Sequence, residues 1–215
     1  MIRIERCISS LINTNMYIIV CNNHALILDP QPNIEGNELV DCILDGIILT
    51  HEHYDHICGV HIWKEKYNCP VYAGQDAAKG LMDSRINLSH YGRSIYEIMF
   101  PDYKFDKEII ADYTCHADKF LNDEDIINWQ GNTLRIMFTP GHTAGSICIL
   151  LNNECLFCGD TLMGDLTERV RWKTGSMKAF LEITQPKLKS LDGNVTAYPG
   201  HGEPFKLKNC EEWLR

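Results

Sequence analysis

Three of the nine histidines fall in one short run, His51-Glu52-His53-Tyr54-Asp55-His56. Imidazole nitrogens and a carboxylate at this density form a metal-ligating donor set. The spacing differs from a helical HExxH motif, whose histidines share one helix face at i and i+4. In an extended segment the i, i+2 pair His51 and His53 points to one side. A turn then lets Asp55 and His56 face a neighbouring point, which suits two metals side by side better than one. Three further candidates are His142 in TPGHT, Asp160 in CGDT and His201 in PGHG. Glycine precedes each, allowing the tight turn and close backbone approach a metal site needs. A lone histidine of this kind is more often a hydrogen-bonded structural residue; four such segments together make a shared site the stronger reading. His90 and His116 are weaker candidates for a further metal or acid/base role, and His24 and His61 are read as structural.

Each of these segments leaves an apolar run that would hold it. GIILT (46–50) is short and continuous, the mark of a strand buried on both faces. NTLRIMFTP (132–140), CLFCGD (155–160) and NVTAYP (194–199) are the strands ahead of His142, Asp160 and His201. MYIIV and ALILD, separated by Cys21-Asn22-Asn23-His24, predict a hairpin, with Asp29-Pro30 closing its second strand. SICILL and CLFCGD predict another across Asn152-Asn153-Glu154. Helical spacing marks 58–67, and CPVYAG (69–74) returns to strand. MKAFLEITQPKLKSL (177–191) is a helix started by Ser176 and kinked or divided by Pro186. The stretch 76–128 is weaker in pattern and is expected as helices with long loops, an insertion that forms a lid. Its aromatics Tyr91, Tyr96, Phe100, Tyr103 and Phe105 would line that lid or form local core. Sheets inside and helices outside make a layered α/β domain.

The length of 215 residues favours one domain over 1–215. With 45% apolar and 23% charged residues, disorder and fibrous classes are excluded. A net charge of −9 disfavours nucleic acid and anionic membrane as partners. No apolar stretch approaches the ~20 residues that span a bilayer. The first residues lack the features of a secretory signal. The ten cysteines sit mostly beside Ile, Val or Leu and are read as buried thiols of a reduced, cytoplasmic protein. Cys155 and Cys158 have CxxC spacing but lie in an apolar strand with no second pair.

HEHYDH, PGHT, GDTL and PGHG, in this order, resemble the metallo-β-lactamase-fold hydrolases, especially their glyoxalase II-like (hydroxyacylglutathione hydrolase-like) branch. The resemblance runs from the strand pair ending at Asp29-Pro30 to PGHGEP at 199–204. It implies a four-layer αββα sandwich with the metals at one edge, between two sheets. It also implies that His51, His53 and His142 hold a first metal, that Asp55, His56 and His201 hold a second, and that Asp160 bridges both. Such a nitrogen and oxygen set without thiolate accepts zinc, the first expectation, or iron or manganese. Two ions roughly 3.5 Å apart would share a hydroxide that attacks a carbonyl while one polarises its oxygen. Bound water becomes a nucleophile because the metals lower its pKa toward ~7. Asp55 is expected to orient that hydroxide, making Asp55 and Asp160 the expected catalytic carboxylates.

The implied reaction is hydrolysis of a thioester or related ester of a small-molecule acyl substrate. A lactonase or a mononuclear-iron sulfur dioxygenase of the same fold is the alternative; keeping all seven ligand positions disfavours the dioxygenase. A non-catalytic metal-binding protein is a weaker reading. So is a β-lactamase, because many of that fold use cysteine where this sequence has Asp160. Strand alternation would put Cys158 on the same face as Asp160, yet one pleat too early to replace it. Glutathione-using members bind their substrate through a Lys and a Tyr soon after GDT and through a C-terminal helical extension. Here Arg169 and Arg171 occupy that region, and about fourteen residues follow His201. A guanidinium can clamp a substrate carboxylate at two points. Ion pairing with Glu168 or Asp165 is the equally weighted alternative.

Overall fold

A computed structural model of the chain describes residues 1–32, 39, 41–99, 110–162, 170 and 172–210. Its first sheet opens with β1 (Arg3–Ile8), β2 (Asn15–Cys21) and β3 (His24–Leu28), paired antiparallel. Asn22 and Asn23 join the last two, with φ of 52° and 60°. Asparagine tolerates this left-handed backbone, which a two-residue hairpin turn requires. β4 (Ile43–Leu49), β5 (Val71–Gly74) and β6 (Lys119–Leu121) then add in parallel, completing the order β1-β2-β3-β4-β5-β6. Parallel strands need crossovers. The one between β4 and β5 runs through α1 (Tyr54–Ile57) and α2 (Val60–Tyr67), and the one between β5 and β6 includes α3 (Gln75–Leu81) and α4 (Arg93–Met99).

The second sheet has β7 (Ile126–Trp129), β8 (Asn132–Phe138), β9 (Ile147–Leu151), β10 (Cys155–Gly159), β11 (Thr196–Pro199) and β12 (Phe205–Lys206). Their order is β12-β11-β10-β9-β8-β7, antiparallel except for the β10–β11 pair. The β9–β10 hairpin repeats the Asn-Asn solution, with Asn152 and Asn153 at φ of 52° and 58°. Between β10 and β11 lies a helical segment, α5 (Met177–Ala179) and α6 (Gln185–Lys189), joined by one wide π turn at Phe180–Thr184. Ser176 caps it by accepting from Ala179 N at 3.1 Å. Pro186 has no N–H to give the preceding turn, so the helix absorbs it by widening rather than dividing.

Strand alternation sorts the apolar residues into three cores, which define four layers. Ile47 and Leu49 of β4 face Tyr54, Ile57, Trp63 and Leu81 of the helical side. Between them, Ile48 faces the other way, into an inter-sheet core with Tyr17, Leu28, Ile149 and Phe157. On the far side Cys148, Leu156 and Cys158 pack with Leu188 of α6 and with Val195 and Leu207. The molecule is thus an α/β sandwich, helix–sheet–sheet–helix. None of its ten cysteines is in a disulfide, and seven of the ten are buried. Among the described residues no helix is long and apolar enough to cross a membrane.

One expectation needs correction. The stretch 76–128 is helical only in part, because β6 and β7 lie within or across its end and form the edges of both sheets. Each edge strand buries one large residue, Leu121 or Trp129, while Phe120 and Ile126 are exposed. Such strands leave no alternating apolar signature to read. Of the aromatics expected to line a lid or form local core, Tyr96 is core and Tyr91 is exposed. Phe100, Tyr103 and Phe105 fall outside the described residues.

Candidate metal centre

The ends of β4, β8, β10 and β11 converge on one edge of the sandwich and deliver seven side chains there. His51, His53, Asp55 and His56 follow β4; His142 follows β8; Asp160 ends β10; His201 follows β11. The two sheets are knitted at this edge by backbone hydrogen bonds, Ile147 N to Thr50 O at 2.8 Å and Asn15 N to Gly200 O at 2.7 Å. Two of the glycines noted in the sequence are sterically required. Gly159 has φ of 47°, and a side chain there would strike Thr50. At Gly200 a Cβ would occupy the space of Asp160 Oδ1 and the His56 ring.

The side chains group as two triads. Ligand atoms of His51, His53 and His142 lie within 4.8 Å of one another, as do those of Asp55, His56 and His201. Within the first, His142 Nε2 is 3.0 Å from His53 Nδ1. Within the second, Asp55 Oδ2 is 3.2 Å from both His56 Nε2 and His201 Nε2. Asp160 reaches both: its Oδ1 is 3.3 Å from His56 Nε2, and its Oδ2 is 3.5 Å from His142 Nε2 and 3.7 Å from His201 Nε2.

Asp29 was read from sequence only as a strand terminator, and the structure gives it a larger part. Its carboxylate accepts from Thr50 N at 2.8 Å, Thr50 Oγ1 at 2.7 Å and His56 Nδ1 at 2.8 Å. Although it lies near His51 and His56, its oxygens are thus engaged, and it orients rather than ligates. Fixing Nδ1 in this way aims His56 Nε2 at the centre, the arrangement that supports metal-bound histidines. Glu52 points away from its histidine neighbours and accepts from Thr143 Oγ1 at 2.8 Å. Burial pushes its carboxyl up to about 7. Trp172 lies edge-on to His53, with ring centroids 5.3 Å apart. No pattern in the sequence marked Glu52 or Trp172, since the partners of both are remote along the chain.

Electrostatically the cluster is built for positive charge. Burial, with neighbouring imidazoles, holds His51 and His53 well below the usual histidine range, so both are neutral donors. Burial also opposes charge on His56, but Asp55, Asp160 and Asp29 outweigh it and raise that imidazole well above its ordinary value. His201 is raised for the same reason, burial being overcome by Asp160 and Asp55. Both aspartates stay ionised against burial because His56 and His201 face them. His51 Nε2, His53 Nε2, His56 Nε2 and Asp160 Oδ1 are buried without a well-formed hydrogen bond. Leaving four such atoms unsatisfied would cost about 1–3 kcal/mol each. A cation ligated by them removes that cost, so the residues fit a metal.

The remaining candidates fall elsewhere. Arg169 and Arg171, with Asp165 and Glu168, lie outside the described residues. Cys158 does not share the face of Asp160, because the register shifts between Phe157 and Gly159; its thiol points to Tyr198 O and the outer core. His24 pairs with Asp45 at 2.8 Å, His90 with Asp112 at 2.7 Å, and His61 packs on Tyr113. None of these, nor His116, joins a candidate metal cluster among the described residues.

Comparison with known proteins identifies the family and the fold. The family profile described as the Metallo-beta-lactamase superfamily matches residues 11–201. A probable metallo-hydrolase of Streptococcus pyogenes is 26% identical over 220 residues, covering 99% of this chain and 88% of that protein. A hydroxyacylglutathione hydrolase of Aeromonas hydrophila is 31% identical over 189 residues, covering 86% of this chain and 60% of that enzyme. The chain therefore spans about three fifths of the length of that relative. Among solved structures, the B3 metallo-β-lactamase BLEG-1 superposes with a TM-score of 0.79 at 23% identity, covering 98% and 97% of the two chains. TTHA1623 in a di-iron-bound form gives 0.71 at 20% identity, covering 95% of each.

Proposed function

The chain belongs to the metallo-β-lactamase superfamily, and from that membership we propose that it is a metal-dependent hydrolase of thioesters or related esters of small acyl substrates. The observation that carries this reading is the convergence of unsatisfied donor atoms from His51, His53, His56 and Asp160 at the mouth of both sheets. His51, His53 and His142 would hold one divalent ion, Asp55, His56 and His201 a second, with Asp160 between them. Zinc is the proposed metal, and the same donors accept iron or manganese. When bound, the ions supply Lewis acidity and lower the pKa of water toward ~7.

The protein's own groups have distinct tasks. Asp29 fixes the ring of His56 through Nδ1. Thr14 Oγ1 lies 3.0 Å from Asp55 Oδ2 and orients that carboxylate. Asp55, ionised in this setting, can accept a proton from an attacking water. Trp172 borders His53 and His142, where it would limit the substrate's acyl or thiol part. The likeness to a hydroxyacylglutathione hydrolase supports the thioester assignment. In this reading the protein acts in the cytoplasm, without nucleic acid or membrane partners.

Purified protein assayed against thioesters and lactones with zinc, iron and manganese tests this. Turnover is expected with close to two ions per chain, and Asp160→Ala or His53→Ala should abolish it while unfolding stays cooperative. Wild-type thioesterase activity in either variant would overturn the assignment. One iron per chain with oxygen consumption would replace hydrolysis by dioxygenation.

A further inference from the structure

The two triads are held by different parts of the chain. Around His142, Glu52 receives Thr143 and Thr174, and Ser176 N donates to Gly141 O at 2.8 Å. Around His201, the support comes from the start of β2. Thr14 bridges to His201 as an antiparallel pair. Asn15 N donates to Gly200 O at 2.7 Å. The Asn15 amide donates to Pro199 O at 2.9 Å and to Gly202 O at 2.8 Å. Both of its protons are thereby used on the carbonyls that flank the His201 turn. Tyr17 Oη adds a bond to Pro199 O at 2.7 Å, and Ile12 O faces His201 Nδ1 at 3.2 Å. Asn15 and Thr14 are 1% and 0% exposed. No surface role accounts for a buried amide placed across a sheet boundary in this way.

We propose that Asn15 is a positioning residue for the Asp55–His56–His201 triad alone, with Thr14 as its auxiliary through Asp55. The inference rests on the two-ion reading above. Its physical basis is that His201 occupies a turn whose two flanking carbonyls are tied together by one side chain from the opposite sheet, whereas Tyr17 reaches only Pro199 O and Arg6 only Gly202 O. Losing that side chain leaves Pro199 O and Gly202 O with one side-chain donor each, Tyr17 Oη and Arg6 Nη1, and so unties the two ends of the turn from each other and frees it to shift. The His51–His53–His142 triad makes none of these contacts, so its ion should be indifferent to Asn15. A supporting residue of this kind is expected to change metal affinity by about 10–100-fold.

Titration of metal-free protein with cobalt(II) alone, followed by its visible absorption and by metal analysis after gel filtration, separates the triads. Wild type is expected to take up two equivalents. Asn15→Asp, which keeps the shape but sets oxygen against both carbonyls, should bind the first equivalent as wild type does and with the same spectrum. Its second equivalent should weaken at least about 10-fold. Thr14→Val should act in the same direction, and it carries the test if Asn15→Asp does not fold. Equal weakening of both equivalents would signify general destabilisation and overturn the inference, as would two equivalents bound with wild-type affinity. If wild type itself takes up fewer than two equivalents, the two-ion reading fails first, and this inference falls with it.

Discussion

Asp29 gathers three hydrogen bonds on two oxygens, from Thr50 N, Thr50 Oγ1 and His56 Nδ1. Asp29→Ala would remove the group that fixes the His56 ring, so metal affinity is expected to fall about 10–100-fold. Competition with a chelator of known affinity measures this, and an unchanged affinity would reduce Asp29 to a structural role. The contrast with HEHYDH shows what a sequence can display at this scale. Histidines two residues apart after a buried strand advertise their chemistry locally. Asp29 lies in ALILDP, which reads only as a strand ending, because its partners Thr50 and His56 come from the segment that follows the neighbouring parallel strand. Parallel pairing of β3 with β4 brings both strand exits to the same edge, and no periodicity within either strand reveals it. Asn15 was hidden for the same reason, since its partners lie at Pro199 and Gly202.

At the scale of elements, α6 is pinned to the second sheet through Lys187. Its ammonium reaches Asp123 Oδ1 at 2.6 Å and Phe138 O at 3.0 Å, while Asp123 also accepts from Phe138 N at 2.7 Å. Burial works against the Asp123 carboxylate, yet Lys187 and the Phe138 amide hold its pKa below the ordinary carboxylate value. A depressed folded-state pKa gives stability that is present above the unfolded value, near 3.8, and lost as pH falls through the folded value. Asp123→Asn should therefore cost about 1 kcal/mol at pH 7, discounted for partial exposure. Urea unfolding should show the gap between variant and wild type closing below about pH 4. A gap constant from pH 7 to pH 2 would contradict this. The hairpins were readable because Asn-Asn between apolar runs specifies a turn, whereas β6 and β7 were not, because an edge strand's pattern depends on which neighbour it joins.

For the whole molecule, the three cores place nearly all apolar burial away from the site, so removing metal should loosen one edge and leave the layers intact. An ion present at 100 times its dissociation constant contributes about 2.7 kcal/mol to folding. Chelation should thus lower the Tm by roughly 5–11 °C in a chain of this size, with the transition still cooperative. A Tm insensitive to chelator would mean that no tightly held ion supports the fold. Binding should also weaken as pH falls, because ligands must shed protons to bind. Isothermal titration in buffers of different ionisation enthalpy would show those protons leaving. The order of strand and helix signals pointed to the layered class, and four strand exits pointed to one shared site. Which sheet each exit belonged to became visible only in three dimensions.

The donors come from both sheets, four of them between residues 51 and 56 and the others at 142, 160 and 201. During synthesis the cage is incomplete until residue 201 has left the ribosome and the second sheet has docked. The growing chain can expose HEHYDH early without owning a closed site, and metal capture becomes a signal that the two halves have met.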